Sequence, residues 1–273
     1  MTASTSPAAD ADWALHPALW AHLGRRTGLD LSAYKSSQLV RRLMGFARAE
    51  GFDNPSALVR ALDGDPGLAA RLRHHLTIHV TGFFRDPAYW TALKQAVASD
   101  PRPGPWRVWS AAASTGAEAL SLIALFDALG RPVQVWATDV DAAVLAQAEA
   151  GRYPAAALEG LSAEEREALF EPEGDQWRVR EAVRRRIRYQ VHDLLGAVYP
   201  SERFDLIACR NVLIYFQPED RLRVVRRLAA CLQPGGWFFV GATEVLLDPG
   251  QFQLEPVSPS LYRRRADGPG SPP

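Results

Sequence analysis

Two kinds of hydrophobic pattern divide the chain. From Trp13 to about Leu76, apolar residues recur at helical spacing, and turn clusters interrupt them at 28–30, 51–55 and 63–67. Clusters of glycine, proline and aspartate separate helices in this way. After residue 106, short apolar runs alternate with helical segments, a pattern typical of a mostly parallel sheet with helices on both faces. The sequence therefore predicts a small all-helical domain followed by an α/β domain.

The same patterns predict the boundaries of these parts. We expect a disordered tail at 1–11, the helical domain at 12–90, a linker at 91–106, the second domain at 107–265 and a second disordered tail at 266–273. The predicted strands cover 107–112, 133–138, 187–191, 204–209 and 236–242, with two edge strands at 252–255 and 260–263. An insertion at about 155–186 contains a helix-like segment at 162–170 and an alternating run at 177–183, and it predicts a small β structure.

Candidate chemistry first emerges where the first predicted strand ends. Ala111-Ala112-Ala113-Ser114-Thr115-Gly116 follows that strand and leads directly into a helical pattern, and small side chains in such a loop let a ligand approach the backbone. The second strand ends in Asp139-Val140-Asp141, where nucleotide-cofactor folds place an acid that binds a ribose diol. The loop lacks both the GxGxxG and the GxxxxGK[ST] spacing, so an adenosyl cofactor without phosphates fits better. S-adenosylmethionine is the common cofactor of this kind.

Composition narrows the class of protein further. The 273 residues include 31 Lys+Arg and 31 Asp+Glu, for a formal net charge of zero, so no global field favours nucleic acid or an anionic membrane. Cys209 and Cys231 lie in apolar contexts without metal-ligand spacing and are predicted to be reduced core residues, with no metal site. No apolar segment approaches the roughly 20 residues of a membrane helix. We expect a cytoplasmic, monomeric protein with no nucleic-acid partner and no membrane insertion.

Four motifs together resemble those of the CheR-type chemoreceptor glutamate methyltransferases. The matching segments are His79–Asp86 against N-x-T-x-F-F-R, Trp109–Glu118 against W-S-A-A-x-S-T-G-E-E, Thr138–Asp141 against S-D-I-D, and Cys209–Phe216 against C-R-N-V-x-I-Y-F. Their order and spacing are kept, and the resemblance covers nearly the whole chain. It implies a Rossmann-like S-adenosylmethionine-dependent methyltransferase domain with a mostly parallel, doubly wound sheet and an antiparallel edge, preceded by an all-helical domain.

The resemblance also implies roles for individual residues. The implied cofactor-binding residues are His79, Thr81, Arg85, Glu118, Asp139, Asp193, Leu194, Asn211 and Val212. The implied catalytic residues are Arg85, which would face the acceptor, and Tyr215, which would lie beside the transferred methyl group. Three departures from the family pattern stand out, since His79 and Asp193 replace asparagines and Ala117 replaces the first acid of G-E-E.

The implied reaction is the formation of methyl esters on glutamate side chains of a methyl-accepting chemotaxis receptor. A glutamate carboxylate is ionised at neutral pH, so the reaction needs no general base and no Ser/His/Asp or zinc constellation. The implied partner is the acidic cytoplasmic helical bundle of the receptor. Arg41, Arg42 and Arg48, on a helix predicted at 32–50, are candidate docking residues, although a solvated helix face explains them as well. The sequence leaves open whether the insertion binds a receptor tail peptide.

Other interpretations remain at this point. A base-modifying methyltransferase usually carries D-P-P-Y or N-P-P-F after its fourth strand, whereas this chain has Arg210-Asn211-Val212-Leu213. A catalytically weak sensor protein that binds S-adenosylmethionine is suggested by His79 and Ala117. A related methyltransferase with a receptor-like acceptor in a non-chemotactic pathway is a third alternative.

Overall fold

The computed structural model describes residues 17–266, and its contacts divide the chain into two units. The first unit runs to Ile78 and also takes in Tyr215–Asp220, and the second contains His79–Ile214 and the chain from Arg221 onward. The predicted tails lie outside the described residues, apart from Ala266. The all-helical and α/β classes predicted from the sequence are both confirmed.

Within the described residues, the first unit contains four α-helices, which are α1 (Pro17–Thr27), α2 (Ser36–Ala49), α3 (Pro55–Gly64) and α4 (Pro66–Leu76). Each buries leucines four residues apart, as the helical period requires; the pairs are Leu19 and Leu23, Leu39 and Leu43, Leu58 and Leu62, Leu68 and Leu72. The polar turn residues act as N-caps, since Asn54 accepts a hydrogen bond from the Ala57 amide and Asp65 from the Leu68 amide.

The short segment Tyr215–Asp220 belongs to the first unit through backbone contacts. The Lys35 amide donates to the Tyr215 carbonyl over 2.9 Å, and the Gln217 amide donates to the Ala33 carbonyl over 2.7 Å. The Tyr34 and Phe216 rings meet edge to face with their centroids 5.3 Å apart. Sequence periodicity could not reveal this assignment, because the segment lies far along the chain from the helices it joins.

The second unit contains ten strands and six helices within the described residues. The strands are β1 (Trp106–Ser110), β2 (Val133–Asp139), β3 (Arg152–Pro154), β4 (Phe170–Glu173), β5 (Gln176–Val179), β6 (Ile187–Val191), β7 (Phe204–Cys209), β8 (Leu232–Val240), β9 (Leu254–Ser258) and β10 (Leu261–Arg264). The helices are α5 (Pro87–Ser99), α6 (Ala117–Ala128), α7 (Ala142–Ala150), α8 (Ala163–Leu169), α9 (Glu181–Arg184) and α10 (Pro218–Ala230), whose first three residues are grouped with the first unit.

Seven strands form one sheet in the order β6-β2-β1-β7-β8-β10-β9. The first five of these are parallel, and β10 pairs antiparallel with both β8 and β9. Val108 and Val135 share the core of this unit with Leu120, Ile123 and Phe126 of α6. All residues of α6 from Ala117 to Phe126 are buried, and apart from Glu118 and Ser121 they are apolar, so the helix has no amphipathic pattern.

Two details of the prediction differ from the structure. Of the two predicted edge strands, β9 lies at the edge of the sheet but β10 lies between β8 and β9, so the prediction was wrong for the second. The last hairpin folds back antiparallel, and this places its second strand inside the sheet. In addition, α5 occupies much of the predicted linker, because Trp90, Leu93 and Val97 recur at helical spacing and are buried.

The insertion forms the small β structure that the sequence predicted. Its strands make a separate antiparallel sheet in the order β3-β5-β4, which begins at Arg152, slightly before the predicted boundary. Several of its arginines pair with acids of the same sheet, such as Arg178 with Glu171 over 2.6 Å and Arg152 with Glu173 over 2.6 Å. These pairs are substantially exposed, so each contributes little to stability.

Two predictions from composition can be followed in the structure. Cys209 and Cys231 are both buried free thiols, and burial raises the pKa of the Cys209 thiol. Within residues 17–266, none of the helices has the length and apolar character needed to cross a membrane.

Candidate functional site

The loop after β1 lies at the carboxyl edge of the sheet and is tied to both neighbouring strands. The Ala111 amide donates to the Ala208 carbonyl, and the Ala113 amide donates to the Thr138 carbonyl, each over 2.8 Å. Gly116 has φ 91°, and a Cβ there would lie 3.0 Å from the hydroxyls of Tyr153 and Tyr189. Glycine is therefore required by the backbone conformation and by the space.

Asp139, at the end of β2, is held by two backbone amides. Its Oδ2 accepts from the Ser114 amide over 2.9 Å, and its Oδ1 accepts from the Asp141 amide over 3.0 Å. Burial raises the pKa of this carboxyl, although both hydrogen bonds act in the opposite direction. A carboxylate offers about four acceptor positions, so Asp139 keeps capacity for two hydroxyl groups after its contacts with the backbone.

The ring of His79 lies against Asp141, with His79 Nε2 and Asp141 Oδ2 3.0 Å apart. Asp141 also caps α7 by accepting from the Ala143 amide over 2.9 Å. The Ser114 hydroxyl donates to the His79 carbonyl over 3.3 Å. The histidine that replaces the family's asparagine therefore links its own segment to the loops after β1 and β2.

Glu118, in the first turn of α6, is buried in a polar cluster of the second unit. Its Oε1 accepts from the Ser110 hydroxyl over 2.7 Å, and its Oε2 lies 3.5 Å from Arg210 Nη1. Burial raises the pKa of Glu118, and the nearby guanidinium opposes that change. Arg210 was not among the predicted site residues, although it stands directly before Asn211 in the sequence.

Arg210 also fixes the segment that contains Arg85. Its Nη2 donates to the Arg85 carbonyl over 2.6 Å, and the indole nitrogen of Trp90 donates to the same carbonyl over 2.9 Å. The Arg85 guanidinium is partly exposed and donates from Nη1 to the Val80 carbonyl over 2.6 Å. Thr81 lies half-buried within the turn that this bond closes.

The segment after β6 meets the end of β2. The His192 amide donates to the Asp139 carbonyl over 3.0 Å, and Asp193 Oδ1 accepts from the Leu195 amide over 2.9 Å. Leu194 is buried, and its carbonyl accepts from the Tyr199 hydroxyl over 2.7 Å. The predicted pair Asp193-Leu194 is therefore adjacent to the predicted Asp139.

Asn211 and Val212 lie in a turn that is held by Glu244, a residue that the sequence analysis did not identify. Asn211 has φ 60°, a left-handed conformation. The carboxylate of fully buried Glu244 accepts from the amides of Asn211 (2.6 Å), Leu213 (2.7 Å) and Gly241 (2.8 Å). A lone acid shortly after the apolar strand β8 was the available signal for Glu244, but two of its three partners, Asn211 and Leu213, lie about thirty residues earlier.

The remaining predicted residues belong to the first unit. On α2, Arg41 and Arg48 are exposed, whereas Arg42 is half-buried and donates to the carbonyls of His75 and Thr77. Burial lowers the pKa of Arg42. Tyr215 is half-buried. The contacts described above assign its backbone to the first unit, and its proposed catalytic role rests on the family resemblance alone.

The fold and this edge of the sheet define the class of an S-adenosylmethionine-dependent methyltransferase. Residues 79–260 match the family model described as "CheR methyltransferase, SAM binding domain", and residues 18–77 match "CheR methyltransferase, all-alpha domain". The chain belongs to the CheR methyltransferase family.

Relatives with matching descriptions support this assignment over most of the chain. A chemotaxis protein methyltransferase of Listeria monocytogenes is 36% identical over 244 residues, which is 87% of this chain and 92% of that protein. Chemotaxis protein methyltransferase 1 of Pseudomonas aeruginosa is 32% identical over 273 residues, covering 94% of this chain and 98% of that protein. A relative from Klebsiella aerogenes with the same description is 37% identical, covering 81% of this chain and 79% of that protein.

The residues at the strand edge fit this cofactor by their chemistry. Three acids, Glu118, Asp139 and Asp193, lie there, and the guanidinium of Arg210 is occupied by Glu118 and the Arg85 carbonyl. Such a set disfavours a pyrophosphate and suits a cofactor that carries a ribose diol and a sulfonium cation.

Proposed function

We propose that the protein methylates glutamate side chains on the cytoplasmic helical bundle of a methyl-accepting chemotaxis receptor, with methyl esters as the product. The acidic strand edge within a CheR-family domain carries this proposal. The relatives named above are described as chemotaxis protein methyltransferases, and their descriptions supply the acceptor class. The protein would thereby tune the adaptation of the receptor from the cytoplasm.

S-adenosylmethionine supplies an electrophilic methyl group on a sulfonium sulfur. Asp139 binds the ribose hydroxyls with the acceptor capacity that its backbone contacts leave free. Glu118 and Thr81 contact the amino-acid end, with His79 positioned by Asp141 beside them. The segments Asp193-Leu194 and Asn211-Val212 border the adenine and the methyl side. These assignments follow the family pattern, and the hydrogen bonds described above keep the segments in place.

Arg85 receives the acceptor in this proposal. A guanidinium has five N–H donors, and the bond from Nη1 to Val80 leaves others for an incoming carboxylate. Because the glutamate is already ionised, alignment of the reacting atoms is the main demand on the protein, and orientation of this kind lowers a barrier by up to roughly 7–11 kcal/mol in ideal cases. Tyr215 is assigned to setting the angle of attack.

The central test is transfer of a tritiated methyl group to membranes that contain a candidate receptor. We expect base-labile label on the receptor, and peptide mapping then identifies the glutamates. Arg85→Ala should abolish most of the label. Calorimetry with S-adenosylhomocysteine then separates the two roles implied for Arg85, because loss of an acceptor contact leaves that affinity close to the wild-type value and loss of a cofactor contact lowers it. Binding without any base-labile label would contradict the proposal and favour a sensor protein.

Docking of the acidic bundle is assigned to the exposed arginines of α2. Among the residues that the structure describes, neither Arg41 nor Arg48 has an ion-pair partner, whereas Arg42 holds backbone carbonyls of its own unit. The double variant Arg41→Glu, Arg48→Glu should raise the KM for receptor about tenfold and leave cofactor affinity unchanged. Arg60→Glu, on the exposed side of α3, is the matched control and should have little effect.

A further inference from the structure

Beside β6, β2 and β1, one face of the main sheet receives no helix from the connection that follows β6. The connection at 192–203, between the parallel strands β6 and β7, contains no helix, although crossovers between parallel strands usually supply one. Val108 and Val135 face α6 within the core. The alternate residues therefore face the opposite side, where Arg107, Gln134 and Arg188 are exposed.

A cleft of about 450 Å³ lies on this open face. Its walls come from β1, β2, β6 and the connection 192–203, and the lining includes Arg107, Gln134, Trp136, Arg188, Gln190 and His192. The volume falls within the range of about 300–1,000 Å³ that is typical of small-molecule sites. None of the residues assigned above to cofactor or acceptor lines it.

Trp136 forms a rigid aromatic platform in this cleft. Its ring is parallel to that of Phe204, with centroids 5.7 Å apart and an interplanar angle of 6°, and it lies 4.7 Å from the ring of Trp109. Its indole nitrogen donates to Gln190 Oε1 over 3.3 Å. The residue nevertheless remains partly exposed. An indole fixed in this way offers a surface on which a planar ring can stack.

Strand register places two guanidinium groups beside this platform. Arg188 is the direct partner of Trp136 on the neighbouring strand, and Arg107 pairs with Gln134, two residues before Trp136. Neighbouring strands lie about 4.8 Å apart, so one arginine flanks the indole on the adjacent strand and the other flanks it diagonally. Within residues 17–266, neither arginine forms an ion pair with an acid.

His192 adds a buried polar atom to the same cleft. Its ring lies 5.8 Å from that of Trp136 and 5.3 Å from that of Trp109. Its Nε2 is buried and has no hydrogen-bond partner among the described residues. Burial lowers the pKa of the imidazole, which favours the neutral ring. A buried nitrogen of this kind costs free energy unless a ligand or water satisfies it.

We propose that this cleft binds a purine nucleotide, with the base stacked on Trp136 and the phosphates held between Arg107 and Arg188. The aromatic platform accounts for the base, and the two unpaired guanidinium groups account for the phosphates. The amide groups of Gln134 and Gln190 can bond to either edge of a base. This cleft is separate from the strand edge assigned to S-adenosylmethionine. The nucleotide would therefore be a second ligand, and the cleft is not an alternative site for the cofactor.

The test uses the full chain saturated with S-adenosylhomocysteine, so that the adenosyl site is closed to the nucleotide. Titration with ATP and with GTP should give saturable heat in calorimetry and quenching of tryptophan fluorescence, with a Kd below about 1 mM for at least one of them. Arg188→Ala should weaken binding about tenfold or more, because it removes a charge-assisted bond. Trp136→Leu should weaken it by a similar factor and remove most of the quenching.

The matched control is Lys94→Ala, which removes one positive charge from an exposed position of α5, a helix that packs on the other face of the sheet. It should leave nucleotide affinity unchanged, and all variants should retain affinity for S-adenosylhomocysteine, which shows that they fold. Absence of saturable binding would overturn the proposal. Loss of binding on saturation with S-adenosylhomocysteine would overturn it too, as would equal affinity for inorganic pyrophosphate and ATP.

Discussion

Two buried carboxylates of the second unit lie beside arginines, one at each end of the parallel strands. Asp100 precedes β1 at the amino end of the sheet, where Arg102 also reaches Asp205 over 3.3 Å. Glu118 lies at the carboxyl end, beside Arg210. Their side chains are 0% and 8% exposed. Nevertheless the pKa of Asp100 falls to about 2, whereas that of Glu118 is raised.

The difference lies in how each arginine distributes its donors. Burial alone would raise the pKa of Asp100, but Arg102 donates to both carboxylate oxygens over 2.8 and 2.7 Å and the Trp237 indole donates over 3.0 Å. Arg210 reaches Glu118 only at 3.5 Å, since its shorter bond goes to the Arg85 carbonyl. A nearby cation therefore stabilises a buried carboxylate most when its donors are committed to that carboxylate. The acid at the site edge keeps unmet capacity for a ligand.

The largest expected effect is that of Arg210→Met. It leaves Glu118 buried without its cation, and breaking a buried pair typically costs about 3–5 kcal/mol. Urea unfolding would measure the loss. Arg186→Met is the matched control, because Arg186 pairs with the more exposed Asp127 over 2.7 Å, and it should cost less than about 1 kcal/mol. Equal losses in the two variants would contradict the comparison.

The second prediction concerns cofactor affinity, which should depend on Glu118 at the candidate site and not on Asp100 at the opposite end of the sheet. We expect Glu118→Gln to raise the Kd for S-adenosylmethionine about ten- to a hundredfold, as for loss of a hydrogen bond to a charged group worth about 1.5–3 kcal/mol. Asp100→Asn should leave that Kd unchanged. Calorimetry on both variants is the measurement, and an unaltered Kd in Glu118→Gln would remove this residue from the cofactor site.

Asp100 should make stability depend on acid pH. Its folded pKa of about 2 lies below the reference value of 3.8, so its contribution is complete above about pH 4 and is lost as the pH falls towards 2. The size follows from the shift and is about 2 kcal/mol. Urea unfolding between these pH values should show a steeper loss in the wild type than in Asp100→Asn. Parallel curves would show that the carboxylate is not held as described.

The smallest expected effect concerns the Tyr153 hydroxyl, which bonds to the loop after β1. Tyr153 donates to the Thr115 carbonyl over 2.6 Å, and Tyr153→Phe should cost about 1 kcal/mol in thermal unfolding. The control is Tyr189→Phe, because the Tyr189 hydroxyl lies near Gly116 but makes no hydrogen bond among the described residues. A larger effect in the control than in Tyr153→Phe would contradict the assignment.

The elements that periodicity could predict are those with a continuous or an alternating apolar pattern. β6 and β7 agree with their predicted bounds because each run ends sharply at polar residues. The position of β10 inside the sheet was not accessible, since strand order depends on pairing and not on the pattern of a single strand. The helix α5 was hidden for a different reason, because its polar residues and the following prolines resembled a linker.

In the candidate site, too, some residues could be predicted from the local sequence and others depend on partners far along the chain. Asp139 could be predicted from its position at the end of a strand, whereas Glu118 was predicted from the resemblance of its segment to the G-E-E motif. Glu244 and Ser110 could not, because their roles exist only through partners distant in sequence. Arg42 illustrates the opposite case, in which a charge grouped with Arg41 and Arg48 turns towards the carbonyls of His75 and Thr77 instead.

The small sheet of the insertion helps to hold the loop after β1. Tyr153 belongs to β3, so the small sheet lends a hydroxyl to the loop after β1. A deletion that trimmed this sheet would leave the Thr115 carbonyl without its donor and a void beside Gly116. The small sheet and the loop after β1 are therefore structurally coupled, and shortening the insertion should cost at least the stability that the Tyr153 hydroxyl contributes.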